Sequence, residues 1–559
     1  MTNDNNQNAQ QTGADIVVQT LQQRGVKHVF GVPGAKIDKV FDTLADSDIQ
    51  TIVCRHEQNA AFIAGGIGRM TGKPGIAIAT SGPGISNLVT GMATANTEGD
   101  PMVALGGAVA LSDRLKKIHQ SMDSVSLCKP VTKYCAEVDS SESIAEVMTN
   151  AFRSAEADRP GAAFVSLPMD IMLAPARCEV IEPPANTSFG PACSGAIEEA
   201  ARLISRAKRP VVLLGLLASK AQNAVAVQEL IESGKLPVVG TFQAAGAVSF
   251  NLFRNFGGRV GQINNQPADE ILAAGDLVIT IGYDPVEYWP SIWNKGNKRM
   301  VVHVDSLPAD IDNSYRPTVE LLGDIAATLR LLTPLVTHHA PETSMQRLLA
   351  KIAAEREELA RSSAAMTSAP IHPLRLVSEL QNILTPDVTL CLDMGSFHLW
   401  LARHLYSFRA RQVLISNGQQ TLGVALPWAI AATLVRPSEK VLSISGDGGF
   451  LFSAMELETA VRLQSHLVHM IWIDGSYDMV AVQEEQKYGR PSGTNFGPVD
   501  PVKYAEAFGA HGFMIQSPDQ ITSVLKQAFD TPGPVLIGVH VDYRDNHKLF
   551  EQVDERSIH

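Results

Sequence analysis

Lys440-Val441-Leu442-Ser443-Ile444-Ser445 is an apolar run that breaks off into Gly446-Asp447-Gly448-Gly449, and Ser453-Ala454-Met455-Glu456 follows with the pattern of a capping box that opens a helix. A second apolar run, 467–473, ends at Asp474. Strand, helix and strand at this spacing make a βαβ unit, whose strands are parallel neighbours carrying both aspartates at their carboxyl ends. Ligand crevices of open parallel sheets form at that edge. Two carboxylates there suit a hard cation, and glycines let backbone amides approach a phosphate, so Mg²⁺ with a diphosphate is the expected occupant. Alone, Gly-Asp-Gly-Gly is a common loop sequence and Asp474 a common turn former. Their placement after two neighbouring strands decides for a site.

The same alternation of short β-branched runs with helical patterns extends outward in both directions. Around the βαβ unit, 388–392, 413–416 and 535–540 read as further strands. A middle region has strands at 210–215, 236–241, 277–282 and 300–305, with a helix at 194–207. The first region has them at 29–31, 51–55, 75–80, 102–106 and 163–167. A Pro-, Ala-, Ser- and Gly-rich stretch at 175–194 reads as a linker, and the charged helical stretch 340–368 places a second boundary near Ala365. The fold class is therefore α/β: three doubly wound parallel-sheet domains at 13–180, 190–345 and 366–545.

Bulk properties agree. A chain of 559 residues is too long for one core, and 45% hydrophobic with 19% charged residues describes a globular protein. A net charge of −12 argues against binding a phosphate backbone, so no nucleic-acid partner is expected. The six cysteines form no CxxC pair, which suggests a reducing cytoplasm. Residues 1–12 read as a floppy tail without an export pattern, and the apolar run 424–435, interrupted by Pro427, is too short to span a membrane and reads as a buried core helix.

Further motifs sit at strand ends. Cys54-Arg55-His56-Glu57 leaves Glu57 at a strand-helix junction, and Thr80-Ser81-Gly82-Pro83-Gly84 is a turn whose missing side chains allow close approach. With these in hand, the chain resembles the thiamine-diphosphate (ThDP) dependent family of acetolactate synthases, pyruvate oxidases and pyruvate decarboxylases, whose signature is Gly-Asp-Gly followed by a later Asn; Asp474 stands at the Asn position. The resemblance implies that Asp447, Asp474 and the main-chain carbonyl of Ser476 hold Mg²⁺. It implies that Gly395-Ser396-Phe397-His398, Gln419, Gln420, Asp447, Gly448, Gly449 and Met479 contact ThDP, with the Gln420 carbonyl accepting from the 4′-amino group and Leu422 forcing the cofactor's bent shape. Glu57, matching the family's Arg-His-Glu, is implied to hydrogen-bond N1′ of the aminopyrimidine, so that N4′ takes the proton from thiazolium C2. The Glu57 of one subunit then serves the cofactor of another, which implies a homodimer at least, with a homotetramer expected.

The resemblance also narrows the reaction. Decarboxylases of the family bring a His-His pair, whereas here the stretch reads His119-Gln120-Ser121, with Gln120 matching the Gln that acetolactate synthases place near C2. Gln483 stands where biosynthetic relatives carry a Trp that favours 2-ketobutyrate, which implies pyruvate as acceptor. Arg209-Pro210-Val211-Val212-Leu213-Leu214-Gly215 lacks the triple glycine of flavin-containing relatives, so no FAD is expected. With Gly34-Ala35-Lys36-Ile37-Asp38-Lys39 added, the chain resembles the catabolic acetolactate synthases of enteric-type bacteria: two pyruvates would yield 2-acetolactate and CO₂ in butanediol fermentation, with no regulatory subunit evident. A pyruvate oxidase or decarboxylase of the same fold, or a noncatalytic nucleotide-binding or regulatory protein, are the rival readings.

Overall fold

A computed structural model describes residues 11–182, 189–336 and 342–551. The expected N-terminal tail lies outside them except for its last two residues, as does part of the expected linker at 175–194.

Runs of Val, Ile, Leu and Ala that are buried on both faces make the strands. Every residue of β3 (Gly75–Ala79), β7 (Pro210–Leu214), β10 (Leu277–Ile281) and β13 (Val388–Leu392) is buried, which is why these segments show no polar alternation. Among the described residues, eighteen strands form three six-stranded sheets whose neighbouring strands are all parallel. The first adds β1 (His28–Val32), β2 (Gln50–Val53), β4 (Met102–Ala108), β5 (Tyr134–Glu137) and β6 (Ala162–Pro168) to β3, in the order β2-β1-β3-β4-β6-β5. The third contains β13, β14 (Val413–Ile415), β15 (Lys440–Gly446), β16 (Leu467–Ile473), β17 (His511–Ile515) and β18 (Val535–His540), in the corresponding order β14-β13-β15-β16-β18-β17. The second differs: β8 (Val238–Thr241), β9 (Phe256–Val260), β11 (Met300–Asp305) and β12 (Val319–Leu322) join β7 and β10 as β12-β11-β10-β7-β8-β9.

Each order has a reversal point inside the sheet, between β1 and β3, β7 and β10, and β13 and β15, and the first and third sheets also double back at one edge, where β6 lies between β4 and β5 and β18 between β16 and β17. Flanking connections leave for opposite faces at such a point, which opens a crevice at the carboxyl ends of the two strands. The chain divides into two compact units, one built on the first sheet and one on the second and third.

Four strands were not legible in the sequence: β5, β9, β12 and β17. All four are sheet edges. An edge strand needs hydrogen bonds on one side only and carries less apolar sequence, as the half-exposed residues of β5 show. The capping box expected at Ser453 is also corrected. A helix already begins at Asp447, directly from β15, and the Ser453 side chain makes no cap bond before the 3₁₀ turn Ala454–Glu456. The apolar helix Ala425–Val435 is buried as expected, with Pro427 in its first turn where a missing N–H is harmless.

Candidate active site

In the third sheet three segments reach the crevice from adjacent strands. β13 runs into Asp393 and Gly395, whose φ of 151° serves as the N-cap of the helix Ser396–His404. β15 runs into the short helix Asp447–Phe450, and β16 runs through Asp474 into the helix Asp478–Tyr488. The βαβ register brings the two aspartates together as the sequence implied. One Asp447 oxygen accepts from Gly448 N at 3.1 Å and the other from Gly475 N at 2.9 Å, the residue after Asp474. Burial and the negative charges of Asp447 and Asp478 push the Asp474 carboxyl up to about 8, and burial raises Asp447 as well. A divalent cation held between them would remove that repulsion. Among the described residues no group of three or more His, Cys, Asp or Glu side chains could hold a metal. Two carboxylates plus a carbonyl suit Mg²⁺, which keeps positions for phosphate oxygens and water.

A cavity of about 270 Å³ adjoins this pair. Gly395, Ser396 and Phe397 line it from β13, Gly448 and Gly449 from β15, and Asp474, Ser476, Met479 and Gln483 from β16; Gln420 and Leu422 complete it. A Cβ on Gly448 would meet the Tyr477 ring at 2.7 Å, so only a bare backbone can face a ligand there. Gln420 has a left-handed backbone, φ 53°. Three candidates do not line the cavity: Asp447, which lies next to its lining residues Gly446 and Gly448, and two that are placed elsewhere. The His398 side chain is fully buried edge-on to Phe242, where burial lowers its pKa to about 4, and it does not line the cavity. Gln419 is exposed and likewise absent from the lining.

Sequence reasoning missed the residues that fasten these loops. Asp393, 1% exposed, accepts from Met394 N at 2.9 Å and with both oxygens from Gly423 N at 2.9 Å, tying the β13 loop to the segment carrying Gln420 and Leu422. Burial pushes its carboxyl up to about 7 despite those donors. Asp478 accepts from Ser396 Oγ at 2.6 Å and from the Asn546 amide, and Tyr543 lines the cavity. Their partners are tens of residues away, so no local pattern announces them.

In the first unit, Glu57 opens the helix Glu57–Thr71 behind the N-cap His56, whose ring nitrogen accepts from Gln58 N. One Glu57 oxygen accepts from Asn87 Nδ2 at 2.9 Å, on the helix Pro83–Glu98. Asn87 was not singled out, although it lies one helical turn past the glycine turn at 80–84. That turn follows β3 at the sheet's reversal point and lies between two candidates: a Cβ on Gly84 would come within 3.5 Å of Glu57 Oε1, and one on Gly82 within 3.1 Å of Gln120 Cβ. Gln120 is held at a φ of 63° with Ser81 Oγ donating to its Oε1 at 3.2 Å, whereas His119 is exposed. At their far ends the two helices are joined by Arg69, which pairs with Asp100 at 2.8 Å and Glu98 at 3.2 Å, all three side chains being almost fully buried.

The reversal point of the second sheet is filled by the chain itself. Glu287, 1% exposed, accepts from Leu216 N at 3.0 Å and from Asp284 N at 3.2 Å, and Thr241 Oγ1 donates to it at 2.5 Å. A Cβ on Gly215 would lie 2.4 Å from the Gly282 carbonyl. The crevice where a dinucleotide phosphate would lie thus holds a carboxylate and closely packed backbone.

Family models match along the chain: the N-terminal TPP binding domain of thiamine pyrophosphate enzymes at residues 11–127, their central domain at 197–332 and their C-terminal TPP binding domain at 393–539. The chain is 54% identical over 544 residues to a catabolic acetolactate synthase of Raoultella terrigena, covering 97% of each. It is 49% identical over 541 residues to an acetolactate synthase of Bacillus subtilis (96% of this chain, 94% of the relative). It is 31% identical over 546 residues to the large subunit of acetolactate synthase isozyme 2 of Escherichia coli, covering 96% of each. No helix among the described residues is long and apolar enough to cross a membrane.

Proposed function

The chain belongs to the thiamine pyrophosphate enzymes, among the acetolactate synthases, and on that premise we propose that it condenses two pyruvates to 2-acetolactate with loss of CO₂, in the cytoplasm and in support of butanediol fermentation. The observation that carries this reading is the pair Asp447 and Asp474 at the carboxyl ends of neighbouring strands, with Asp474 lining a glycine-bearing cavity at the reversal point of the third sheet.

Bound ThDP supplies a nucleophilic thiazolium carbon and an electron sink for decarboxylation. The rest is the work of the chain. Asp447, Asp474 and the Ser476 carbonyl hold Mg²⁺. The amides of Gly448 and Gly449 and the Ser396 hydroxyl receive the diphosphate, and Leu422 and Met479 give the rings an apolar seat. Glu57, kept in place by Asn87, holds the proton at N1′ of the aminopyrimidine. By the family resemblance, Gln120 would act near the reacting carbon and Gln483 near the acceptor.

One structural feature and one family property support the finer points. The filled crevice of the second sheet supports a flavin-free enzyme. The family's pairing of subunits, in which the Glu57 of one subunit would serve the cofactor of another, is the ground for proposing a homodimer at minimum and a homotetramer by expectation.

The test is acetolactate formation from pyruvate by dialysed protein given ThDP and Mg²⁺ without flavin. Stoichiometric acetolactate and CO₂ are expected. Acetaldehyde as main product, or a flavin requirement, would replace the reading with a decarboxylase or an oxidase.

A further inference from the structure

A second cavity, of about 250 Å³, opens beside the first in the same unit, and Gln420, Met479 and Gln483 line both. Its remaining polar lining includes three more carboxamides, Gln262, Asn417 and Gln486. Gln262 and Gln420 both hold left-handed backbones, φ 56° and 53°, an arrangement that costs energy for non-glycine residues and concentrates at ligand sites. Asn417 is fixed: its Nδ2 donates to the Glu287 carbonyl at 3.0 Å and its Oδ1 accepts from Gln262 Nε2 at 3.4 Å. The side chains of Gln420, Gln483 and Gln486 make no hydrogen bond to other described residues, which leaves their donors and acceptors for a ligand. The titratable lining is Glu287 and Tyr288, and both are engaged elsewhere. The Glu287 carboxylate is taken by Leu216 N and Thr241 Oγ1, and the Tyr288 hydroxyl donates to Asp269 at 2.5 Å.

We propose that this chamber seats the acceptor 2-keto acid, with Gln262 and Gln486 as specificity-determining residues that donate to its carboxylate. The proposal rests on the acetolactate synthase reading. The donor fragment is CH₃–C(OH), left when the first pyruvate loses CO₂. Its carbon would bond to the acceptor's keto carbon as the carbonyl π pair moves to the acceptor oxygen; the donor hydroxyl would then give up its proton as its own carbonyl re-forms and the bond tethering the fragment to the carrier carbon breaks, that electron pair returning to the carrier. That proton balances the one gained by the acceptor oxygen, so no external acid is consumed. Formation of acetaldehyde instead needs a proton delivered to carbon. A chamber lined by neutral amides, its acids otherwise engaged, holds an anionic acceptor without offering that proton.

The experiment measures acetolactate formed per CO₂ released by the holoenzyme over a range of pyruvate concentrations, for wild type, Gln486→Leu and Gln262→Asn, the latter keeping a side chain tolerant of positive φ. In the variants the ratio should fall at low pyruvate, acetaldehyde making up the difference, and recover as pyruvate rises. The half-maximal concentration should move about tenfold, the size of one hydrogen bond to a charged group. A purely structural role would lower both products together and leave the ratio alone, so a wild-type ratio in both variants at every concentration overturns the proposal. A wild type that releases CO₂ without making acetolactate would instead overturn the reading on which it rests.

Discussion

Glu57→Gln separates chemistry from folding. The substitution keeps the shape of the side chain, and the glutamine carbonyl oxygen can still accept from Asn87 Nδ2, now 2.9 Å from the carboxylate. The N-cap His56 and the pairs that join the two helices at Arg69 are untouched. Stability should therefore change by less than about 1 kcal/mol, as for substitutions that create neither a cavity nor an unpaired buried group. On the proposed function, what would be lost is a negative oxygen able to hold a proton at N1′. General acid-base contributions are about 10² to 10⁴-fold, or about 3–5 kcal/mol of barrier. Initial rates of acetolactate formation should fall by that factor while circular dichroism and thermal melting overlay the wild type. Asn87→Ala, which removes one hydrogen bond to a charged group but leaves the carboxylate, should cost about tenfold. Retention of more than a tenth of wild-type activity by folded Glu57→Gln would refute the assignment.

Three further outcomes are expected. Arg69→Met strands Glu98 and Asp100 without their buried partner and should destabilise the first unit by about 3–5 kcal/mol in denaturant unfolding. Asp393 has its carboxyl raised to about 7 by burial, so the folded state binds this proton more tightly than the unfolded chain. Its contribution to stability is fully present below about pH 4 and is lost as pH rises through 7, by about 4 kcal/mol at most. Melting temperatures of Asp393→Asn measured from pH 5 to 8 should accordingly fall less steeply than those of the wild type, and parallel curves would count against the shift. Gln483→Trp adds apolar surface where both cavities meet, so in competition between 2-ketobutyrate and pyruvate as acceptors the product ratio should move about tenfold toward the larger acid, the scale of one buried methylene.

Much of the molecule was written in local sequence. Runs such as Val441 to Ile444, buried on both faces, can only be central strands, and glycines after β15 leave room for nothing but backbone beside Tyr477. Asp447 and Asp474 were legible because a βαβ unit fixes its two strand ends by chain geometry alone. Four of the six edge strands, β5, β9, β12 and β17, were not, since a strand with one neighbour needs little apolar sequence. The order of the strands, and with it the reversal points where the crevices open, depends on which face each connection crosses. Composition does not record that. Asp393 reaching Gly423, Asn87 reaching Glu57 and Glu287 filling the crevice of the second sheet are likewise pairings of groups far apart in the chain, made only once the sheets have closed. Strand ends and glycine turns were readable along the chain, because local stereochemistry and burial leave few alternatives there. The tertiary structure decided which of them meet, because a buried polar group must find its partner wherever the fold brings one.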